Sequence, residues 1–338
     1  MPAVSVLLPC FNANQTLEPA LQSLALQTFK DFEVVAVDDG SIDDTSKILR
    51  KWRLKDSRFR LISGPHRGII PALNRGLEAC QGDYIARMDA DDLCHRERLS
   101  RQVRFLEEHP QISVVGCLVS SPPGEEVRQG FRIYIQWLNS LVSDADIRTE
   151  IFVESPLAHP SVVLRKEWLE RVGGYQDHGW AEDYDLWLRL YLAGAKFAKV
   201  PEMLYIWRDR LQRLTRQDSR YSLENFLRAK AYYLTQGPLA DRDGVFIWGA
   251  GMMGRRISKH LSRQGAPLVS FVEVNPEKIG NTLRGLPIIS QGDLFSGWGA
   301  FTNPTLLIAV GSQAARAKIG SYLEDHGLRP GKDWWPVA

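Results

Sequence analysis

Two aspartates one residue apart, Asp89 and Asp91, are the sharpest chemical signal in the chain. Carboxylates at i and i+2 just past a strand, where the regular pleat is lost, can converge on one hard cation. Mg²⁺ and Mn²⁺ favour such oxygen ligands and bind phosphate oxygens at the same time. The bland alternative is a solvated acidic loop in which Asp92 caps the next helix. Asp38-Asp39-Gly40-Ser41 repeats the theme earlier in the chain. A carboxylate there could accept from the N3–H of uracil or from a ribose hydroxyl. Gly40 would permit a tight turn, and Ser41 would help cap the helix that follows. A plain strand-to-helix turn favours the same residue types. Phe11 is placed to stack on a base, or else belongs to the core.

Glu182-Asp183 is the third acidic pair. A carboxylate at a helix start is favoured by the dipole, so an ordinary cap competes with a general base that takes a proton from an acceptor hydroxyl. Arg67 and His159 are candidates for contact with phosphate or acceptor. A lone histidine between Ala158 and Pro160 is more often structural.

The elements that must carry these residues follow from the apolar pattern. Ala3 to Pro9, Phe32 to Val37, Phe59 to Ile62 and Asp83 to Met88 are predicted as strands. Thr16 to Gln27, Asp44 to Trp52, Pro71 to Ala79 and Arg96 to Glu108 are predicted as helices. Such an order calls for a mostly parallel sheet with helices on both faces, and ligands at the carboxyl ends of its strands. Ile112 to Val119 is a further strand, residues 120–150 have no clear pattern, and Glu182 opens an amphipathic helix. A second unit begins near residue 241. There the strand Val245 to Trp248 is followed by Gly249-Ala-Gly251-Met-Met-Gly254, a helix over Arg255 to Arg263, and strands at Leu268 to Val274 and Thr305 to Val310.

Composition narrows the classes. Of 338 residues, 44% are hydrophobic and 24% charged, which excludes a disordered or fibrous chain. The formal net charge of +2 argues against coating nucleic acid over the whole surface. A local basic patch remains, with seven basic and three acidic residues from Arg208 to Lys230. Arg208 and its neighbours would close over a diphosphate, touch an anionic acceptor, or form a solvated helix face. The four cysteines, at 10, 80, 94 and 117, match no zinc spacing and make no disulfide scaffold, which points to a reducing compartment. No apolar run approaches the roughly 20 residues of a membrane span, so a soluble cytoplasmic protein is expected.

The clusters carry more weight together. Val4 to Asn12 (VSVLLPCFN), Val35 to Ser41 (VAVDDGS), Gly82 to Ile85, Met88 to Asp92 (MDADD), His159-Pro-Ser161 and Glu182-Asp183 give the chain its resemblance to the family 2 glycosyltransferases with the GT-A fold, over about residues 1–235. The resemblance implies an inverting transfer from a UDP-sugar, galactose or N-acetylglucosamine favoured, with a divalent metal (Mn²⁺ or Mg²⁺) on Asp89 and Asp91. It implies Asp39 on the uracil with Phe11 stacked on it, Arg67 at the donor, and Asp183 as catalytic base. Glu182, His159 and Arg208 are weaker candidates for contact with acceptor or phosphate. The family's first loop often has Tyr where Phe11 stands, which keeps the ring and drops a hydroxyl. A QxxRW motif is absent, which argues against a processive synthase.

The expected architecture is an α/β GT-A domain over 1–235 with a mostly parallel central sheet, plus a small Rossmann-like α/β domain over 241–338. This two-part plan, with Tyr134 to Asn139 in the first part, is similar to the β-1,3-N-acetylglucosaminyltransferase-like protein 1 group, which looks like the queuosine-tRNA galactosyltransferases. Shared function would make the acceptor a tRNA nucleoside. Architectural likeness alone leaves a glycan, a lipid-linked sugar or a small molecule. A non-catalytic nucleotide-sugar or tRNA binding module of the same fold is the alternative. The C-terminal fingerprint, with Glu273 at the next strand's end where a ribose-binding acid would lie, is expected to mark an accessory domain that binds no NAD. Nothing near it offers a hydride-transfer site.

Overall fold

The computed structural model describes residues 1–122, 128–209 and 218–338. Contacts divide the chain into two units. One comprises Met1–Ile147, Pro156–His178 and Glu182–Gln217, and the other Arg148–Ser155, Gly179–Ala181 and Asp218–Ala338.

The first unit is built on an eight-stranded sheet: β1 (Val4–Cys10), β2 (Phe32–Asp38), β3 (Phe59–Ser63), β4 (Tyr84–Arg87), β5 (Leu93–Cys94), β6 (Val114–Ser120), β7 (Val163–Arg165) and β8 (Phe197–Ile206). Their order is β3-β2-β1-β4-β7-β6-β8-β5. The pairs β2–β3, β1–β2, β1–β4 and β6–β8 are parallel, whereas β7 runs antiparallel to both β4 and β6, and β5 to β8. Every residue of β1 and β2 is buried. That explains their continuous apolar runs, since strands of a sheet covered on both faces show no alternation. The helices Leu17–Ala25, Thr45–Lys55, Ile69–Ala79 and Arg98–Glu108 fall within a few residues of their predicted positions. This is the expected α/β GT-A-like architecture with a mostly parallel central sheet.

The cap expected from Ser41 is corrected. The helix Thr45–Lys55 has Asp44 at its N-cap position without a side-chain hydrogen bond, and the Asp43 carboxylate accepts from the Thr45 N–H at 2.9 Å instead. Ser41 takes no part in that cap, because its hydroxyl accepts from the Asn12 N–H at 3.0 Å. Residues 120–150, patternless in sequence, include the helices Gln129–Ser140 and Asp144–Glu150.

The opposite end of this sheet is closed by a polar cluster. Ser5 Oγ donates to Glu33 at 2.7 Å, Arg60 donates to the other Glu33 oxygen at 2.6 Å, and the Gln81 N–H donates to Glu33 at 2.8 Å. Burial would raise the Glu33 carboxyl, but these donors hold it below the usual carboxylate range. All four cysteines are buried free thiols. Among the described residues no helix is long and apolar enough to cross a membrane.

The second unit carries a six-stranded sheet of β9 (Gly244–Trp248), β10 (Leu268–Glu273), β11 (Thr282–Leu283), β12 (Leu286–Ser290), β13 (Pro304–Ile308) and β14 (Trp334–Pro336), in the order β11-β12-β10-β9-β13-β14. All neighbours are parallel except the short hairpin β11–β12. Its core holds Phe246, Trp248, Val272, Leu306, Ile308 and Leu323.

Candidate active site

Strand register brings the acidic loops together. Cys10 pairs with Asp38 across β1–β2, and Leu7 with Arg87 across β1–β4. The loops after β1, β2 and β4 therefore leave the sheet side by side at its carboxyl end. The first two are laced to each other. Besides the Asn12–Ser41 bond, Asn12 Oδ1 accepts from the Ile42 N–H at 3.0 Å, and Thr45 Oγ1 accepts from the Ala13 N–H at 2.7 Å.

Asp39 is buried, and its carboxylate is engaged. It accepts from the Arg67 N–H at 3.0 Å and the Gly68 N–H at 2.8 Å, and lies 2.8 Å from His66 Nδ1. The His66 ring stacks on Phe11 at 4.0 Å between centroids and 17° between planes. Phe11 stays 45% exposed, so the pair presents an open aromatic edge. Asp39, Phe11 and Arg67 thus share one patch, which Arg67 joins through its backbone N–H while its residue is exposed. His66 was missed in the sequence, although the segment Gly64-Pro-His-Arg-Gly68 after β3 is a loop signal.

Gly40 makes this turn possible. Its φ is +75°, and a Cβ there would overlap the backbone nitrogen of His66. Gly40→Ala is expected to lose roughly 1–3 kcal/mol, combining left-handed strain with displacement of the 64–68 loop. Urea unfolding reads this directly, and an unchanged midpoint contradicts it.

After β4 the carboxylates of Asp89, Asp91 and Asp92 offer oxygens within 4.8 Å of one another. Asp92 does not cap the next helix, which starts at Arg98. It is buried, accepting from Tyr205 Oη–H at 3.0 Å and from the Arg208 N–H at 2.8 Å, while Arg208 Nη1 donates to the Asp91 carbonyl at 3.3 Å. Asp89 pairs with Arg87, a guanidinium buried at the end of β4. Burial alone would make Arg87 easier to deprotonate, but the Asp89 charge more than offsets that, and the cation is permanent. The Tyr205 hydroxyl is held well above its usual range by burial, then by Asp92 and Asp89, so it remains a neutral donor. An all-oxygen, three-carboxylate set suits Mg²⁺ or Mn²⁺. The residues present therefore fit a divalent ion, which would share Asp89 with Arg87.

The third acidic pair opens the helix Glu182–Leu192. Asp183 Oδ1 accepts from the Tyr184 N–H at 2.7 Å, one of the amides a helix start leaves unpaired. Glu182 is buried. Tyr175 ties this pair to the metal-type cluster. Its phenol is pushed upward by burial, pulled back by the Arg87 charge, and pushed again by Glu182 and Asp183. Both groups therefore act on one hydroxyl. That hydroxyl lies 2.9 Å from Nε2 of His159. Asp185, two residues further on, is committed to the scaffold: fully buried, it accepts from Arg189 Nε at 2.7 Å and lies 2.9 Å from His178 Nδ1.

His159 is buried, packed edge-on to Trp187 with centroids 5.8 Å apart. Burial first, then repulsion from Arg87, hold its imidazole well below 6.5. In the unfolded chain the group titrates near its ordinary value, so below that pH the unfolded state binds one proton more. Stability then falls as pH falls, by up to about 1.4 kcal/mol per pH unit, and the contribution is constant above that pH. His159→Gln should flatten the pH dependence of unfolding free energy on the acid side, and parallel profiles contradict this.

Of the sequence candidates, Phe11, Asp39 and Arg67 lie in one patch, Asp89 and Asp91 in the acidic cluster, and Glu182 and Asp183 at a helix start whose charges act on Tyr175. His159 faces the interior, and Arg208 reaches Asp92 through its backbone. Of the basic stretch, residues 210–217 lie outside the described residues. Arg87, Tyr175 and Tyr205 were missed. The one signal for Arg87 was a cation inside an otherwise apolar strand two residues before an aspartate.

The family model for Glycosyl transferase family 2 matches residues 5–173, and the chain belongs to that family. It is a glycosyltransferase. Among curated relatives, it is 33% identical over 206 residues to the amylovoran biosynthesis glycosyltransferase AmsE of Erwinia amylovora, covering 59% of this chain and 74% of that one. It is 29% identical over 291 residues to the putative glycosyltransferase EpsE of Bacillus subtilis (strain 168), covering 84% and 97%. Among solved structures, S. aureus TarS 1–349 in complex with UDP-GlcNAc superposes with a TM-score of 0.55 at 22% identity, covering 77% of this chain and 72% of that one. The mannosyltransferase PcManGT from Pyrobaculum calidifontis, in complex with GDP-Man and Mn²⁺, gives 0.51 at 18% identity, covering 98% and 82%. These two likenesses are likenesses of fold.

Proposed function

We propose that the chain transfers a sugar, galactose or N-acetylglucosamine favoured, from a UDP-sugar to a hydroxyl of a carbohydrate acceptor with inversion at the anomeric carbon. The observation that carries this is the cluster of three carboxylates within 4.8 Å at the end of β4, linked through Arg87 and Tyr175 to the acidic start of the helix at Glu182. The UDP-GlcNAc complex of TarS supports the donor class. The Mn²⁺ complex of PcManGT supports a metal. The relative named for amylovoran biosynthesis supports a carbohydrate acceptor.

Asp89 and Asp91 would hold the divalent ion. When bound, it supplies positive charge to the diphosphate leaving group. Asp39 and Phe11 take the uracil, which enters against the Phe11–His66 pair, and Arg67 reaches the donor from the same loop. Arg87 neutralises Asp89 from beneath, which lowers repulsion among the three carboxylates before donor arrives. Asp183 takes the acceptor proton on the face opposite the leaving group. A single base without a second carboxylate as nucleophile gives inversion, by the logic that separates the two classes of glycoside hydrolysis. His159 holds Tyr175, Glu182 lies buried at the helix start, and Arg208 holds Asp92. A tRNA nucleoside as acceptor is the second reading, favoured only by the basic composition of Trp207 to Arg216 in the sequence. Four buried thiols and a nucleotide-sugar donor suit a cytoplasmic setting.

A transfer assay over UDP-galactose, UDP-N-acetylglucosamine and GDP-mannose, with Mn²⁺ or EDTA, tests this reading. Glycan and queuosine-tRNA acceptors are compared, and proton NMR reads the anomeric configuration. Turnover of a UDP-sugar that EDTA abolishes, with an inverted product, is expected. Metal-independent turnover or retention overturns it.

A further inference from the structure

In the second unit the chain order reverses at β9. From it the sheet runs to β10 and β12 on one side and to β13 and β14 on the other. Parallel sheets bind ligands at such a switch point, beyond the carboxyl ends of their strands. A cleft of about 770 Å³ lies there, lined by Trp248 and Gly251 after β9, Glu273 at the end of β10, and Val310 and Gly311 after β13. Its size is in the range of small-ligand cavities, roughly 300–1,000 Å³.

The three glycines of the loop differ in what the fold asks of them. Gly249 has φ +111°, and a Cβ there would lie 3.0 Å from the Ala309 carbonyl oxygen. A Cβ on Gly254 would overlap the carbonyl oxygen of Gly249, so this glycine lets the helix Met252–Arg263 seat on the strand. Gly251 is required by neither constraint. Its φ is −88°, and a Cβ there would meet nothing within 4 Å. Gly311 likewise would carry a side chain into open space. The chain keeps two bare backbone positions on the wall of a cleft where its own packing would accept side chains. That is the surface a ligand needs when it must touch backbone amides at a helix start.

Opposite stands Glu273, only 9% exposed. It accepts from the N–H groups of Ala250 at 3.2 Å, Val274 at 3.0 Å and Asn275 at 3.3 Å. Burial would raise its carboxyl, but these amides and Lys278 hold it ionised. Its remaining partner is Lys278 Nζ at 3.2 Å, on a side chain 42% exposed. A ribose hydroxyl can replace that long, partly solvated arm without disturbing the backbone bonds.

We propose that this cleft binds a nucleoside diphosphate unit with an unmodified ribose, free or within a dinucleotide, its diphosphate over Gly251 and the helix start and its ribose diol on Glu273. Binding, with no group transfer, is the assigned role. A 2′-phosphate is disfavoured because it would meet an ionised carboxylate. The site is separate from the donor site of the first unit.

Calorimetric titration of the full chain with ADP, UDP, NAD⁺ and NADP⁺ tests this. At least one of ADP and NAD⁺ should bind with a Kd of about 1 mM or tighter, and NAD⁺ should exceed NADP⁺ by about tenfold or more, whereas UDP heat also reports the donor site and does not count. Gly251→Val, which the fold accommodates, should abolish the ADP and NAD⁺ heat while the thermal midpoint holds. Glu273→Gln should narrow the NAD⁺/NADP⁺ difference. Asp91→Asn should leave NAD⁺ and ADP binding intact, which separates this site from the transferase reading. No heat from either ADP or NAD⁺, retained binding of these in Gly251→Val, equal affinity for NAD⁺ and NADP⁺, or loss of NAD⁺ and ADP heat in Asp91→Asn overturns the proposal.

Discussion

With Asp183 as the proposed base, Asp183→Asn is expected to lower the turnover number for sugar transfer by about 10²–10⁴-fold, the usual contribution of a positioned base, while KM for the donor changes little. The asymmetry follows from what the side chain does. Its Oδ1 accepts the Tyr184 N–H at the start of the helix, and an asparagine oxygen can accept the same bond, so the helix start survives. What asparagine cannot do is take a proton. In the proposed displacement the nucleotide leaves from the face opposite the base, so donor binding would not depend on that proton. A loss confined to KM, or a drop below about tenfold in turnover, would remove Asp183 from the role of base and leave it as a cap.

On the proposed reading Asp89→Asn and Asp91→Asn should both lower sugar transfer by at least about 100-fold, on the scale of lost electrostatic stabilisation of a leaving group, but only one should strongly damage the fold. Asp89 is the counterion of Arg87, whose side chain is 4% exposed. Removing one partner of a buried pair strands the other charge in a poor solvent, at about 3–5 kcal/mol. Asp89 itself is 27% exposed, so the low end applies. Asp91→Asn leaves that pair intact and should cost clearly less. Denaturant unfolding and transfer rates on the two variants test both halves. Equal destabilisation would mean that Arg87 is satisfied without Asp89. Activity retained in Asp91→Asn would sink the metal assignment.

The parts legible in the sequence share a physical cause. Strands buried on both faces left long apolar runs at Val4–Cys10 and Phe32–Asp38, and carboxylates at their ends stand out against such runs. Non-local features left no comparable trace. The three-residue β7 enters between β4 and β6 and runs against both, a pairing set by contacts some 50 to 80 residues apart. Arg87 counts against a buried strand until its partner two residues on is seen. Asp183 and Asp185 look alike in sequence, yet one serves the helix start and the other is sealed between Arg189 and His178. Phe11 was legible as a ring after a strand, but its partner His66 comes from a loop 55 positions away.

The four sequestered thiols give the molecule a built-in reporter. Burial pushes Cys80 up to about 12 and Cys117 up to about 11, and raises Cys10 and Cys94 as well. The nucleophilic thiolate is therefore scarce while the core is closed, and alkylating reagents find sulfur only on chains that have opened. Timed alkylation counts opening events strand by strand, with Cys10 reporting on the end of β1 and Cys117 on the middle of β6.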